Sequence, residues 1–134
     1  MIGVLDVDGE CTEWTFPAEP DAVRVARRSV METLRAWHLE AEFGDTAVLL
    51  VSELVTNSLR HASGPIRVGI GRPDPATLRV EVSDPHPDPP LERVAGPDDE
   101  GGRGLQLVAG TTHRWGTQRG TSGKTVWFEL AQPG

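Results

Sequence analysis

A carboxylate and a carboxamide lie one helical turn apart near the middle of the chain. They are Glu53 and Asn57, in the stretch SELVTNSLRHA that begins at Ser52. At about 100° per residue in a helix their side chains are only ~40° apart, with Arg60 and His61 close by. A hydrated Mg²⁺ carrying a phosphate is one object that both could reach, since Mg²⁺ favours oxygen ligands and keeps several waters. A polar helix face that only meets water is the ordinary alternative.

A second carboxylate, Asp84, follows a predicted strand directly and precedes a proline-rich loop. This placement predicts a carboxylate at the mouth of the sheet. It could accept a hydrogen bond from the exocyclic amine of a base, which would distinguish adenine from guanine. An Asx-turn that satisfies its own backbone is the alternative.

Two glycine-containing turns add main-chain N–H groups. The run Gly101–Gly104 precedes an apolar helix start, and phosphate is favoured at a helix N-terminus. It is neither a P-loop nor a dinucleotide fingerprint, so a hinge without a ligand stays open. Gly123-Lys124-Thr125 offers a turn, a cation and a hydroxyl, with an ordinary hairpin as the alternative.

Other site chemistries find little support in the sequence. The single cysteine, Cys11, excludes an intramolecular disulfide and a thiolate metal cluster, and we expect it to be a buried or half-buried side chain near the first strand. No serine sits in a strand-turn-helix elbow. The histidines are spaced too irregularly to indicate a zinc site: His38, His61, His86 and His113.

The helices that must carry these residues follow from the apolar spacing. A first strand, residues 11–17, precedes helix one, which we predict from Pro20 or Asp21 to about Trp37. Gly44 and Asp45 are predicted to break the chain before helix two, which runs from Thr46 to about residue 62. The helix-one arginines either face solvent or form a patch for an acidic partner: Arg24, Arg27, Arg28 and Arg35.

The remaining elements complete an α+β pattern. Strands are predicted at residues 66–70, 78–82, 112–117 and 125–130, with a lid loop at about 85–103 and a short helix after Gly104. The order β-α-α-β-β-loop-α-β-β favours a two-layer sandwich, in which helices cover one face of a mixed, mostly antiparallel sheet. We expect a flexible leader at 1–10 and one domain at 11–134.

Composition limits the class of protein. The chain has 134 residues, 37% of them hydrophobic, and a net charge of −7, which disfavours nonspecific nucleic-acid binding. No apolar run approaches the ~18 residues of a membrane span, and the acidic N-terminus is unlike a signal peptide. A cytoplasmic protein that binds neither membrane nor nucleic acid is expected.

Taken in order, Glu53-x-x-x-Asn57, then Asp84 after a strand, then Gly102-x-Gly104 before a helix resemble the nucleotide-binding boxes of the GHKL ATPase and kinase superfamily. Gyrase-type ATPases and histidine kinases share its Bergerat fold. Together with Trp127 to Leu130 in the last strand, the stretch from Ser52 is most similar to the actinobacterial type of anti-sigma-factor serine/threonine kinase. The similarity spans about residues 14–130.

The resemblance implies a role for each matching residue. Glu53 matches the catalytic acidic residue that orients or deprotonates the attacking hydroxyl, and Asn57 matches the Mg²⁺ ligand. Asp84 matches the aspartate that contacts adenine. The full set implied to bind the nucleotide is Asn57, His61, Asp84, Gly102, Arg103, Gly104, Leu105 and Thr125.

The resemblance also implies partners. The protein would bind Mg·ATP, phosphorylate an anti-sigma factor antagonist of STAS type, and sequester a sigma factor through helix one as a homodimer. Pro85 stands where many members have glycine after the aspartate, which weakens the expectation of adenine affinity. The acidic run 98–100 weakens that of kinase turnover. A nucleotide-responsive interaction module and a plain α+β interaction domain without a ligand therefore remain alternatives.

Overall fold

The computed structural model describes residues 11–61, 64–85, 112–120 and 123–132. In chain order the elements are β1 (Cys11–Phe16), α1 (Asp21–Ala36), α2 (Glu40–His61), β2 (Ile66–Asp74), β3 (Thr77–Asp84), β4 (Arg114–Gly120) and β5 (Gly123–Ala131). The predicted leader, the predicted lid from residue 86 onward and the predicted helix after Gly104 lie outside the described residues.

The five strands form one sheet in the order β1-β2-β3-β5-β4, and every described pairing is antiparallel. β2 and β3 form a hairpin closed by Asp74, whose carboxylate accepts hydrogen bonds from the Ala76 N–H at 2.9 Å and the Thr77 hydroxyl at 3.0 Å. β5 lies between β3 and β4, and its register sets Lys124 opposite Asp84. The end of β3 is therefore paired with β5, a strand from the C-terminal part of the sequence.

The two faces of the sheet differ in character. Side chains alternate between faces along a strand, so Val80 and Val82 share one face with Phe128 across the β3–β5 pairing. These apolar residues are buried in one core with the inner sides of α1 and α2. Buried charged residues occupy the other face of β3 and β5: Arg79, Glu81 and Glu129. The predicted α+β sandwich is confirmed.

α1 forms because small and branched apolar residues recur every four positions. Ala22, Ala26, Val30 and Leu34 are all buried. Asp21 in the first turn and Arg35 in the last turn suit the helix dipole. The helix ends one residue before the predicted boundary, at Ala36.

α2 corrects one expectation. The chain does not break at Gly44 and Asp45; it turns at His38, which adopts a left-handed φ of 61°, and α2 begins at Glu40. Gly44 lies inside the helix, where a Cβ would come 3.3 Å from Glu40 Cγ and 3.4 Å from the Met31 side chain of α1. Neither helix of the described chain combines the length and apolarity needed to cross a membrane.

Cys11 corrects a second expectation, because its side chain is exposed. It lies at the start of β1, the edge strand of the sheet, opposite Gly71 of β2. By strand alternation this position is on the face away from the helices. The apolar core therefore does not enclose the thiol.

Candidate functional site

The C-terminal half of α2 carries the first polar group of the site. Glu53 and Asn57 are half-buried and one turn apart on the same side of the helix. The carboxamide Oδ1 of Asn57 is buried and has no hydrogen-bond partner among the described residues. Buried polar oxygens are nearly always hydrogen-bonded, so this oxygen is a candidate acceptor for a ligand.

The second group is the carboxylate of Asp84 at the end of β3. The Ser58 Oγ donates a hydrogen bond to Asp84 Oδ2 at 2.8 Å, and the two residues are only 4% and 5% exposed. Ser58 directly follows Asn57 on α2. One turn of helix therefore carries both the unpartnered amide oxygen and the donor that holds the carboxylate.

Two glycines pack on the main chain of Asp84 and Pro85. Gly123 has a φ of 145°, and a Cβ there would lie 2.2 Å from the Asp84 carbonyl oxygen. A Cβ on Gly64 would lie 2.8 Å from the Pro85 ring. Only glycine fits at Gly123, since both its φ and its contact exclude a side chain. The peptide that carries the carboxylate is thus closely packed from two other segments.

The structure separates Thr125 from this group. Its hydroxyl lies 2.7 Å from the Ser83 hydroxyl, on the sheet face away from the helices. Lys124 is the residue of β5 directly across from Asp84. The family resemblance matched Thr125 to a hydroxyl near the adenine side. Strand alternation instead places Lys124 on the face that carries the Asp84 side chain.

The side chains of the remaining predicted site residues lie outside the part of the chain that the structure describes. His61 ends α2, and its side chain is outside the description. The four residues of the predicted phosphate turn lie outside the described ranges: Gly102, Arg103, Gly104 and Leu105.

Ser58 is a residue of this polar group that the sequence interpretation missed. Its spacing placed it on the apolar side of the helix, and its side chain is indeed buried. The signal available was its hydroxyl, because a buried hydroxyl requires a partner. The partner is 26 residues further along the chain, which helix periodicity cannot reveal.

The donor set near Asn57 is suited to a hard divalent cation. The described residues contain no group of three or more His, Cys, Asp or Glu that could hold a metal ion alone. Mg²⁺ does not need such a cage, since it keeps several waters and binds one or two protein oxygens together with substrate phosphates. The unpartnered oxygen of Asn57 fits that requirement.

The family follows from the sequence match. Residues 16–130 match the histidine kinase-like ATPase domain. The chain belongs to the histidine kinase-like ATPase domain family. Its GHKL resemblance is confirmed at this level, and ATP is the ligand that membership of an ATPase family implies.

A solved structure shares the fold of this ATPase domain. It contains the RsbU and RsbW domains of Rv1364c from Mycobacterium tuberculosis, and the superposition has a TM-score of 0.70 at 19% sequence identity. The match covers 91% of this chain and 32% of the other, so the ATPase domain spans about a third of that larger chain. No curated protein matches the sequence significantly.

Proposed function

We propose that this ATPase domain binds Mg·ATP and transfers the γ-phosphate to a serine or threonine of an anti-sigma factor antagonist of STAS type, and thereby regulates a sigma factor. One observation carries the proposal. The buried Asp84 carboxylate is bonded to Ser58, next in sequence to the unpartnered oxygen of Asn57. The acceptor proposed for the base, Asp84, and the acceptor proposed for the metal, Asn57, thus both lie at one turn of α2.

On the base side, Asp84 would accept a hydrogen bond from the exocyclic amine of adenine. Guanine presents a carbonyl oxygen at that position, and two acceptors facing each other repel. The purine preference therefore follows from the chemistry of one carboxylate.

On the phosphate side, Asn57 would hold Mg²⁺, which supplies neutralising charge to the phosphates when bound. Glu53 lies one turn earlier on the same side of α2 and would accept the proton of the attacking hydroxyl. The hydroxyl oxygen bonds to the γ-phosphorus as the bond to the β–γ bridging oxygen breaks, and ADP leaves. Glu53 is thus the proposed catalytic residue.

The proposed sigma-factor contact lies on α1. Arg24 and Arg35 are engaged locally, with Asp21 at 2.8 Å and Glu40 at 3.0 Å. The exposed Arg27 and the neighbouring Arg28 are the better candidates for an acidic partner surface. We further propose a cytoplasmic homodimer.

A second candidate function keeps the nucleotide and omits the transfer. The acidic residues of the run 98–100 are poorly suited to receive a γ-phosphate. These residues favour a binding module whose partner choice depends on ATP.

Phosphotransfer to candidate antagonists separates the two functions. We expect Glu53→Ala to abolish transfer while the Kd for ATP stays within about threefold, since the carboxylate acts on the hydroxyl. Glu42→Ala is the matched control, because Glu42 is an exposed carboxylate near the start of the same helix. Full transfer by Glu53→Ala would refute the catalytic assignment.

The melting temperature tests nucleotide binding itself. ATP at ~100 times its Kd should stabilise the protein by about 2.7 kcal/mol. No shift with millimolar Mg·ATP would contradict both functions and favour an interaction domain without a ligand.

A further inference from the structure

The bond between Ser58 and Asp84 joins two buried side chains from different layers of the fold. Ser58 lies near the end of α2 and Asp84 ends β3, and the oxygens are 2.8 Å apart. A hydrogen bond to an ionised acceptor is roughly twice as strong as one between neutral groups. The hydroxyl therefore sets the orientation of the carboxylate relative to the helix.

The main chain of the same residue is held as closely as its side chain. Gly123 packs against the Asp84 carbonyl oxygen, and Gly64 packs against the Pro85 ring. Proline also fixes its own φ, which restricts the peptide after Asp84. The glycines and the proline thus fix the main chain of Asp84, and the Ser58 hydroxyl orients its carboxylate.

We propose that Ser58 is a positioning residue that determines base specificity by holding the Asp84 carboxylate in the orientation that accepts an adenine amine. This inference rests on the proposed function and adds a residue to it. Ser58 acts only through Asp84 and does not contact the nucleotide. A carboxylate has about four acceptor positions, and the Ser58 hydroxyl takes one of them.

The same geometry accounts for Pro85. A flexible glycine would let the aspartate adapt to the base, whereas this site fixes the acceptor beforehand. An acceptor already ordered before binding spares the entropy of ordering it in the complex. The rigid main chain at Asp84, rather than a flexible glycine after it, therefore supports recognition of the amine.

A purely structural role for Ser58 makes a different prediction. The hydroxyl would then only satisfy a buried carboxylate, and its removal would weaken the fold and the binding of every nucleotide alike. A positioning role affects chiefly those ligands that carry the amine. Comparing ligands with and without the amine separates the two roles.

The experiment measures the Kd of full-length protein for ATP and for purine riboside triphosphate, which lacks the exocyclic amine, in the presence of Mg²⁺. We expect the wild type to prefer ATP by at least tenfold, because a site built around an acceptor discriminates against a ligand without the donor. Ser58→Ala should weaken ATP binding about tenfold, as expected for loss of a hydrogen bond to a charged group. The Kd of the analogue should change less than threefold, so that the preference nearly disappears.

Two variants serve as controls. Ser58→Thr keeps the hydroxyl and should keep most of the preference. Ser52→Ala removes a hydroxyl from a different side of the same helix and should match the wild type. Should Ser58→Ala fail to fold, Ser58→Cys replaces the hydroxyl with a thiol, a weaker donor, and should give an intermediate preference.

The outcomes distinguish the two proposals. An unchanged ATP preference in the folded Ser58 variant, whether or not the melting temperature falls, would overturn the positioning role and leave the proposed function intact. Failure of the wild type to bind either triphosphate would overturn the proposed function, and the positioning role with it.

Discussion

β3 carries two buried polar clusters that contrast in chemistry and in face. Asp84, on the helix-covered face, is bonded to the neutral hydroxyl of Ser58. Arg79, on the opposite face, donates to Glu81 at 2.8 Å and to Glu129 at 2.9 Å, and its guanidinium lies 4.0 Å from the centre of the Trp127 ring. In the Asp84 cluster a neutral hydroxyl orients a carboxylate. In the Arg79 cluster a guanidinium pairs with two carboxylates.

The difference separates the proposed binding group, Asp84, from a structural one, the Arg79 cluster. Arg79 meets two carboxylates, and Arg114 adds a cation 3.2 Å from Glu129, so the charges of this cluster are balanced within the fold. Ser58 is a neutral donor, so its hydrogen bond orients the Asp84 carboxylate without adding a countercharge, whereas Arg79 neutralises the carboxylates that it contacts.

Removal of Arg79 gives the largest effect that the comparison predicts. Arg79→Ala leaves the buried Glu81 carboxylate without its cation and Glu129 with Arg114 alone, and should lower the free energy of unfolding by about 3 kcal/mol. The Kd for ATP should not change. Urea denaturation and nucleotide titration measure both; Arg24→Ala, from an exposed ion pair, should cost under about 0.5 kcal/mol. Lost ATP binding at unchanged stability would reverse the assignment of the two clusters.

Asp84→Asn should show the opposite pattern. The amide places a donor where the adenine amine needs an acceptor, so we expect a ~10- to 100-fold weaker Kd for ATP, with unfolding changed by under about 1 kcal/mol. Asp74→Asn is the control, since this aspartate closes the hairpin at the other end of β3. Equal loss of ATP affinity in both variants would remove Asp84 from the site.

A matched pair of glycines tests the two clusters by steric change. Gly123→Ala directs a methyl group at the Asp84 carbonyl, whereas Gly116→Ala directs one at the Trp127 indole, 2.8 Å away. Both should lower stability by about 1–3 kcal/mol. Only Gly123→Ala should also weaken ATP binding severalfold, as measured by titration. A comparable loss in Gly116→Ala would show that the two clusters are coupled.

Thr125→Val gives the smallest expected effect. It removes the 2.7 Å bond to Ser83 and should cost about 1 kcal/mol of stability. ATP affinity should stay within about twofold, because the side chain lies on the face of the Arg79 cluster. A tenfold loss in the same titration would return Thr125 to the adenine side.

The fold could be predicted largely because its apolar residues are periodic. The spacing of Ala26, Val30 and Leu34 located α1 almost to the residue, and alternation located β2 and β3. The start of α2 could not be predicted, because Gly44 resembles a helix terminator unless its packing against Met31 is known. Tertiary contact overrode local propensity there.

The site was predicted less completely, and the reason is again long-range pairing. The spacing of Glu53 and Asn57 is local, and the sequence revealed it. The choice between Lys124 and Thr125 depends on register, and a shift of one residue along a strand reverses the face. The Ser58–Asp84 bond depends on how α2 packs over the sheet, which no local pattern encodes.

The position of β5 in the sheet also bears on how the domain forms during synthesis. The β2–β3 hairpin is local and can close as soon as both strands have emerged. β5 pairs with β3 across a far longer separation, 42 residues between Ser83 and Thr125. In a nascent chain from which β3 has emerged but β5 has not, Asp84 is present without Gly123 packed against its carbonyl. Nucleotide would therefore stabilise the domain only after that strand has been made and paired.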